Sequence, residues 1–220
     1  MAGRWVDLSQ AFYTGMPHSR ALICQPCFEV VHTHQEHVFQ ATRYTLLTHV
    51  GTHVDAPLHF LPGARPIDEV PLDRVAGVGV VLDIPRAAFG EIGPKDLERG
   101  GPVVGPGDIV MIRTGFGARY GTADDYLDHP HLTEEAAAWL VDRGAKLVGV
   151  DFNSPDQAHA LRGPGFRWPV HHILLERGVL IVEHLNLEGV RPGRMEFCCF
   201  PVKFRGADGA PARVVARALP

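Results

Sequence analysis

The sequence predicts a mixed α/β chain with a β-rich centre, and three observations point that way. Glycine and proline, 24 and 18 of 220 residues, are spread along the whole chain, which suits many short strands and turns. Helix punctuation, a cap or Pro in front and Gly behind, marks only a few short segments. Strands and helices also fail to alternate regularly, so a doubly wound parallel sheet is not expected. With 45% apolar residues the chain can bury a substantial core, and one domain over 1–220 is the expected organisation.

Taken in order, Trp5 to Ser9 reads as an opening strand, followed by a loop at Tyr13-Thr14-Gly15-Met16-Pro17. Phe28 to His32 and Val38 to Thr48 are β-rich and flank a polar turn. His32, His34 and His37 on that turn read as solvated histidines. Ile67 to Val75 suits one or two helical turns. The apolar run Val78 to Ile84 is a buried strand. Pro94 to Gly100 has Pro at its start and Gly at its end, a short helix. Gly105-Pro106-Gly107-Asp108 turns into a strand at Ile109 to Arg113. Thr133 caps a helix from Glu134 to Arg143 that Gly144 ends. Lys146 to Asp151 is a buried strand. Pro169 opens a second helix through Arg177, with Gly178 behind it. Val179 to Val182 is a strand ending on Glu183-His184. Met195 to Phe204 and Val214 to Ala218 complete the β elements.

Composition excludes several functions. The net charge is −4 and no basic block is present, so nucleic acid is not an expected partner. The stretch Met1 to Asp7 lacks the apolar core of a signal peptide. No run of about 18 apolar residues spans a membrane. A cytoplasmic protein is the default expectation. Cys24 and Cys27 have redox or zinc-finger spacing. Adjacent Cys198 and Cys199 would point to opposite strand faces, a poor second half for a thiolate site. The cysteines are therefore read as small hydrophobes.

The chemistry concentrates in His49-Val50-Gly51-Thr52-His53-Val54-Asp55-Ala56-Pro57-Leu58-His59-Phe60. Its three imidazoles and one carboxylate are ligand types for zinc, manganese and similar metals. On an ideal strand His49 and His53 would sit roughly 13 Å apart, too far to share an ion. A helix is disfavoured by Val50, Gly51, Thr52 and Val54, and Pro57 would break it. What remains is a strand that turns sharply at Gly51 and Pro57, a bent loop with its ligands pointing inward.

This stretch resembles the signature H-x-G-T-H-x-D-x-P-x-H-F of the cyclase family of metal-dependent hydrolases, which includes kynurenine formamidases (arylformamidases) and isatin hydrolases. The resemblance extends over almost the whole chain. It includes Asp7-Leu8-Ser9, Gly15-Met16-Pro17, Pro106-Gly107-Asp108, Arg113-Thr114-Gly115, Gly149-Val150-Asp151 and Gly209-Ala210-Pro211-Ala212-Arg213. It implies a fold of the swivelling β/β/α type and a homo-oligomer, a homodimer or homotetramer. It also makes Phe12 and His18 pocket candidates. Asp151 to Asp156 stands where relatives carry D-T-x-S-x-D, with Phe152 and Pro155 departing from that pattern. Asp151 itself reads as a structural turn residue.

His171 precedes Leu174-Leu175 by three residues and Glu183 by twelve, an arrangement that resembles the kynurenine formamidases. A carboxylate closing an apolar strand either reaches solvent or, if buried, needs a cation; the residues alone leave both open for Glu183, and the resemblance points to a metal. The resemblance implies that one zinc takes His49, His53 and Asp55. Asp55 would bridge to a second held by His59, His171 and Glu183. The Leu174-Leu175 register selects His171 over His172. Members similar to isatin hydrolase keep one manganese on the first three ligands and leave the fourth histidine free. His59 is thus either a ligand or an acid–base group, with Glu183 the other catalytic candidate. The implied activity is metal-dependent hydrolysis of a small amide, such as N-formylkynurenine or isatin. A lyase or cyclase, or a non-catalytic metal-binding protein, are the alternatives on the same fold.

Overall fold

Short β-branched runs between turn residues give short strands, and most of them assemble into one sheet. The computed structural model describes residues 3–18, 24–122 and 125–219. Met1 and Ala2, part of the stretch read for a signal peptide, lie outside the described residues. The chain opens with β1 (Val6–Asp7), β2 (Cys27–His32), α1 (His34–His37), β3 (Ala41–Thr45) and β4 (His53–Asp55). It continues through α2 (Leu72–Val75), β5 (Ala76–Asp83), β6 (Glu91–Ile92), α3 (Pro94–Arg99) and β7 (Ile109–Arg113). Then come β8 (His131–Leu132), α4 (Glu134–Asp142), β9 (Leu147–Val150), α5 (Pro169–Glu176) and β10 (Leu180–Glu183). The chain closes with β11 (Gly193–Pro201) and β12 (Gly209–Ala218). The mixed α/β class with a β-rich centre is what the sequence predicts.

The main sheet runs β1-β12-β11-β5-β7-β9-β10-β4, and β4 also pairs with β12. Seven strands therefore close into a ring, with β1 added outside. Strands β5, β7, β9 and β10 are parallel neighbours, and the remaining pairings are antiparallel. Alternation sorts the side chains of each strand onto two faces. Val81, Ile109, Met111, Leu147, Val182, Phe197 and Val214 share one buried cluster. Val80, Leu82, Val110, Ile112, Val148 and Ile181 join a second cluster with Ala136, Leu140, Leu174 and Leu175 of α4 and α5. Burying both faces explains the unbroken apolar runs along these strands.

Most boundaries follow the sequence. Thr133 Oγ1 accepts from the Ala136 amide at 3.2 Å and caps α4. β1 is shorter than the predicted strand, while Ser9 forms a separate bridge to Leu185. β12 begins at Gly209, five residues before the predicted start at Val214. The two-residue strands β6 and β8 were not predicted. His34 and His37 are exposed and His32 is half-buried. All four cysteines are free, and only Cys199 is a buried hydrophobe; Cys27 is exposed. Among the described residues no helix is long and apolar enough to cross a membrane.

Buried His129 stacks on Phe152, and its Nδ1 lies 2.8 Å from the Pro130 carbonyl. Burial, helped by Arg162 and His131 against the Pro130 carbonyl and Asp156, lowers its pKa to about 4. The unfolded chain, with an imidazole near 6.5, then takes up this proton first. Stability is full above that value and falls as pH drops toward about 4, by about 3 kcal/mol at most. Urea midpoints at pH 7 and pH 4.5 should therefore converge in His129→Gln relative to wild type. Identical pH dependence in both proteins would contradict this.

Candidate metal centre

The His49–Phe60 stretch is partly a strand. Gly51 turns the chain with φ 59°, and a Cβ there would lie 2.6 Å from Met16 Cε. His53, Val54 and Asp55 then form β4, which pairs with both β10 and β12. The expected bent loop is corrected here: the ligand-bearing centre is the strand that closes the ring. A 3-10 turn at Pro57–His59 follows it. Val54 faces the ring cluster with Val182 and Ala210. His53 and Asp55 consequently point to the other face, where Glu183 sits directly across from His53. Above them α5 begins, bringing His171 in its first turn.

Hydrogen bonds fix how each imidazole is presented. His53 Nδ1 lies 2.7 Å from the Gly51 carbonyl, which can only accept, so Nδ1 carries the proton. His171 Nδ1 donates in the same way to Asp156 Oδ2 at 2.6 Å. Asp156 also accepts from the Val170 and His171 amides, both at 3.0 Å, capping α5 while it orients the ring. In the neutral rings both Nε2 atoms are then lone-pair donors. His53 Nε2 lies 3.2 Å from Asp55 Oδ1 and 3.4 Å from Glu183 Oε2. His171 Nε2 lies 3.6 Å from Asp55 Oδ2 and 3.3 Å from Glu183 Oε1. His53 Nε2, Asp55 Oδ2 and Glu183 Oε1 are buried without a hydrogen-bond partner among the described residues. Lone pairs converging in a buried space repel unless a cation lies among them. Two carboxylates and neutral imidazoles match the charge and ligand preference of a divalent ion.

His49 and His59 occupy the flank. His49 donates from Nδ1 to Asp55 at 2.8 Å and from Nε2 to Asp208 at 2.8 Å. Burial would lower its pKa, but Asp208 and Asp55 outweigh that and raise it to about 10. His59 stacks on His49 with centroids 3.6 Å apart, its Nδ1 3.3 Å from Asp208. Hydrogen bonds from His49 and His59 hold the Asp208 carboxyl far below its ordinary range. Gly209 makes room for this ring: a Cβ there would stand 2.6 Å from His49 Cε1 and 2.8 Å from the Val54 carbonyl. Gly209→Ala should therefore displace His49, destabilise by about 1–3 kcal/mol and cut activity at least about tenfold. Thermal melts beside turnover measure both, and wild-type turnover in Gly209→Ala would contradict the placement.

All six residues singled out in the sequence meet in one region, but their grouping differs from the one the resemblance implies. Among the described residues, donor atoms close enough to share an ion fall into three sets: His49, Asp55 and His59; His53, Glu183 and His184; and Asp55, His171 and Glu183. His59 groups with His49 because both rings rest on Asp208. His53 groups with Glu183 because the two are cross-strand neighbours. His171 is buried among these donor atoms, whereas His172 is half-exposed and lies 3.4 Å from Glu176. Asp151 accepts from Thr114 and Gly115 in a buried turn, as expected. Phe12 and His18 do not line the cavity over the cluster. Asp208, Asp156 and His184 were missed. Asp156 had a trace in the D-T-x-S-x-D comparison, whereas Asp208 sits alone between Ala207 and Gly209.

A cavity of about 150 Å³ opens over the cluster, lined by His59, Phe60, Asn153, Trp168, His171 and Glu183 among others. Phe60 and Trp168 pack together, ring centroids 6.1 Å apart, and give the cavity an aromatic side. Arg162 also lines it and lies over Trp168, 5.3 Å from the ring.

A closed mixed sheet that aims imidazoles and carboxylates at the floor of a small cavity defines a protein built around a divalent-cation site. Residues 6–157 match the Cyclase family. The chain is 34% identical to the kynurenine formamidase of Salinibacter ruber over 177 residues, covering 80% of this chain and 78% of that one. A predicted metal-dependent hydrolase from Bacillus stearothermophilus superposes with TM-score 0.81 at 27% identity, covering all of both chains. Isatin hydrolase A from Ralstonia solanacearum shares the fold, with TM-score 0.85 at 24% identity over 98% of this chain and 92% of that one. The chain belongs to the Cyclase family.

Proposed function

We propose that this chain is a metal-dependent hydrolase that cleaves a small amide with water, a formamide being the favoured substrate. The observation that carries the reading is the set of unpartnered buried donor atoms on His53, Asp55 and Glu183 beneath a cavity with aromatic walls. The likeness to a kynurenine formamidase supports a formamide. A cyclic amide such as isatin is supported by the shared fold alone.

In this reading His49, His53 and Asp55 would hold one ion, and Asp55, His171 and Glu183 a second, zinc or manganese. His49 would join only after its Nδ1 gives up to solvent the proton it now donates to Asp55. Such an ion would polarise the amide carbonyl and acidify water to near-neutral pKa. Asp156 keeps His171 Nε2 aimed at the cluster. Water adds its oxygen to the amide carbon, the C–N bond breaks, and nitrogen leaves as an amine with a proton. His59 serves as either a ligand or a proton carrier, never both at once. Its stacking on His49 and its contact with Asp208 support the proton carrier, delivering to the leaving nitrogen from the cavity rim. The packed rings of Phe60 and Trp168 offer one apolar face to an aryl group. The 220 residues act as one cytoplasmic domain within a homodimer or homotetramer.

Zinc- or manganese-loaded protein assayed with formanilide, N-formylkynurenine and isatin tests the reading. Formate release from the first two is expected. Metal-loaded protein that turns over none of the three would favour the lyase or metal-binding alternatives.

A further inference from the structure

We propose that His184 donates a hydrogen bond from Nε2 to the substrate's amide carbonyl oxygen. This rests on the hydrolase reading and adds a catalytic residue to it. The ring of Tyr126 is fully buried, and its hydroxyl lies 2.9 Å from His184 Nδ1. Among the described residues this is the hydroxyl's one hydrogen bond. If His184 were the donor, the Tyr126 hydrogen would be buried without an acceptor. The O–H therefore donates, Nδ1 accepts, and the ring's own hydrogen resides on Nε2.

That second nitrogen makes no hydrogen bond to the described residues, and His184 lines the cavity beside Glu183. The ring lies 5.9 Å, centroid to centroid, from His53. A donor is therefore presented at the edge of the lone-pair cluster, where an amide carbonyl would be attacked. As water adds to the carbon, negative charge grows on that oxygen, and a fixed N–H strengthens its hold as the charge develops.

The backbone supports a functional reading. His184 has φ 56°, a left-handed conformation uncommon outside Gly, though Asn, Asp and His adopt it more often than other side chains. Its amide donates to the Phe152 carbonyl at 3.0 Å, and its carbonyl accepts from Thr52 Oγ1 at 2.7 Å. The strain is thus enforced from both sides at the cavity wall, where such conformations recur at functional sites.

The test pairs two variants with nitrogen NMR on zinc-loaded protein. His184→Asn suits the backbone but its side chain is too short to place an N–H where Nε2 lies. It should keep or raise the melting temperature and full zinc content, while kcat falls about a hundredfold. His184→Gln, with its longer amide, should recover part of that loss. In wild type labelled with ¹⁵N-histidine, the His184 hydrogen should be found on Nε2, and added formate should shift that signal. A hydrogen on Nδ1, wild-type kcat in His184→Asn, or zinc lost from that variant would overturn the proposal; the last would make His184 a ligand. If no amide is turned over yet formate still shifts Nε2–H, the donor assignment stands and the hydrolase reading fails.

Discussion

Asp55→Asn should abolish hydrolysis to background and strip most of the bound metal while leaving the fold in place. Asp55 is the residue on which both halves of the cluster depend. Its Oδ1 faces His53 Nε2 and His49 Nδ1, and its Oδ2 faces His171 Nε2. Asn keeps the shape but replaces one anionic oxygen by an NH₂ group, which no metal accepts as a ligand. The remaining charge at the centre is then Glu183 alone. Because β4 is held by backbone bonds to β10 and β12, the ring should stay closed. Circular dichroism, elemental analysis and turnover on one preparation check all three parts. A folded Asp55→Asn protein with wild-type metal content would remove Asp55 from the ligand set.

Asp156→Ala carries the second large effect, and it acts without touching the metal position. The carboxylate accepts from two amides at the start of α5 and from His171 Nδ1. Its loss frees the His171 ring to rotate and uncaps the helix at once. Affinity for zinc should fall about 10- to 100-fold, the usual loss for a residue that orients a ligand. Helix uncapping should also lower stability by about 1 kcal/mol. Zinc titration against a competing chelator reads the first, and a thermal melt of chelator-treated protein reads the second. A stability loss with unchanged zinc affinity would leave Asp156 as a cap only.

The sequence showed the ligands more clearly than their arrangement. His49, His53, Asp55 and His59 stand close together with Gly51 and Pro57 between them, so the stretch declared its chemistry. Caps and breakers likewise exposed α4 and α5, because Thr133, Gly144, Pro169 and Gly178 act locally. Strand β4 was not legible. It is three residues long and carries polar groups on one face, and only pairing with Glu183 and Pro211, far away in sequence, makes it a strand. The early part of β12 was hidden by Gly209 and Pro211, which usually weaken strands. Here Gly209 clears space for His49. Asp208 had no signal at all, since its partners His49 and His59 are some 150 residues distant and only the closed ring brings them together. His184 was overlooked because Glu183 supplied the obvious ligand and because nothing local announces a left-handed histidine. The grouping of donors into overlapping sets depends on ring orientation, and hydrogen bonds to Gly51, Asp156 and Asp208 set that orientation.

The central claim is that Glu183 completes a second ion position with Asp55 and His171. Metal stoichiometry measured on wild type and Glu183→Ala under identical saturating zinc tests it most directly. The account predicts about one equivalent fewer in the variant, with the ion of His49, His53 and Asp55 retained. Equal stoichiometry in the two proteins would contradict it and place the Glu183 carboxylate outside the metal's reach.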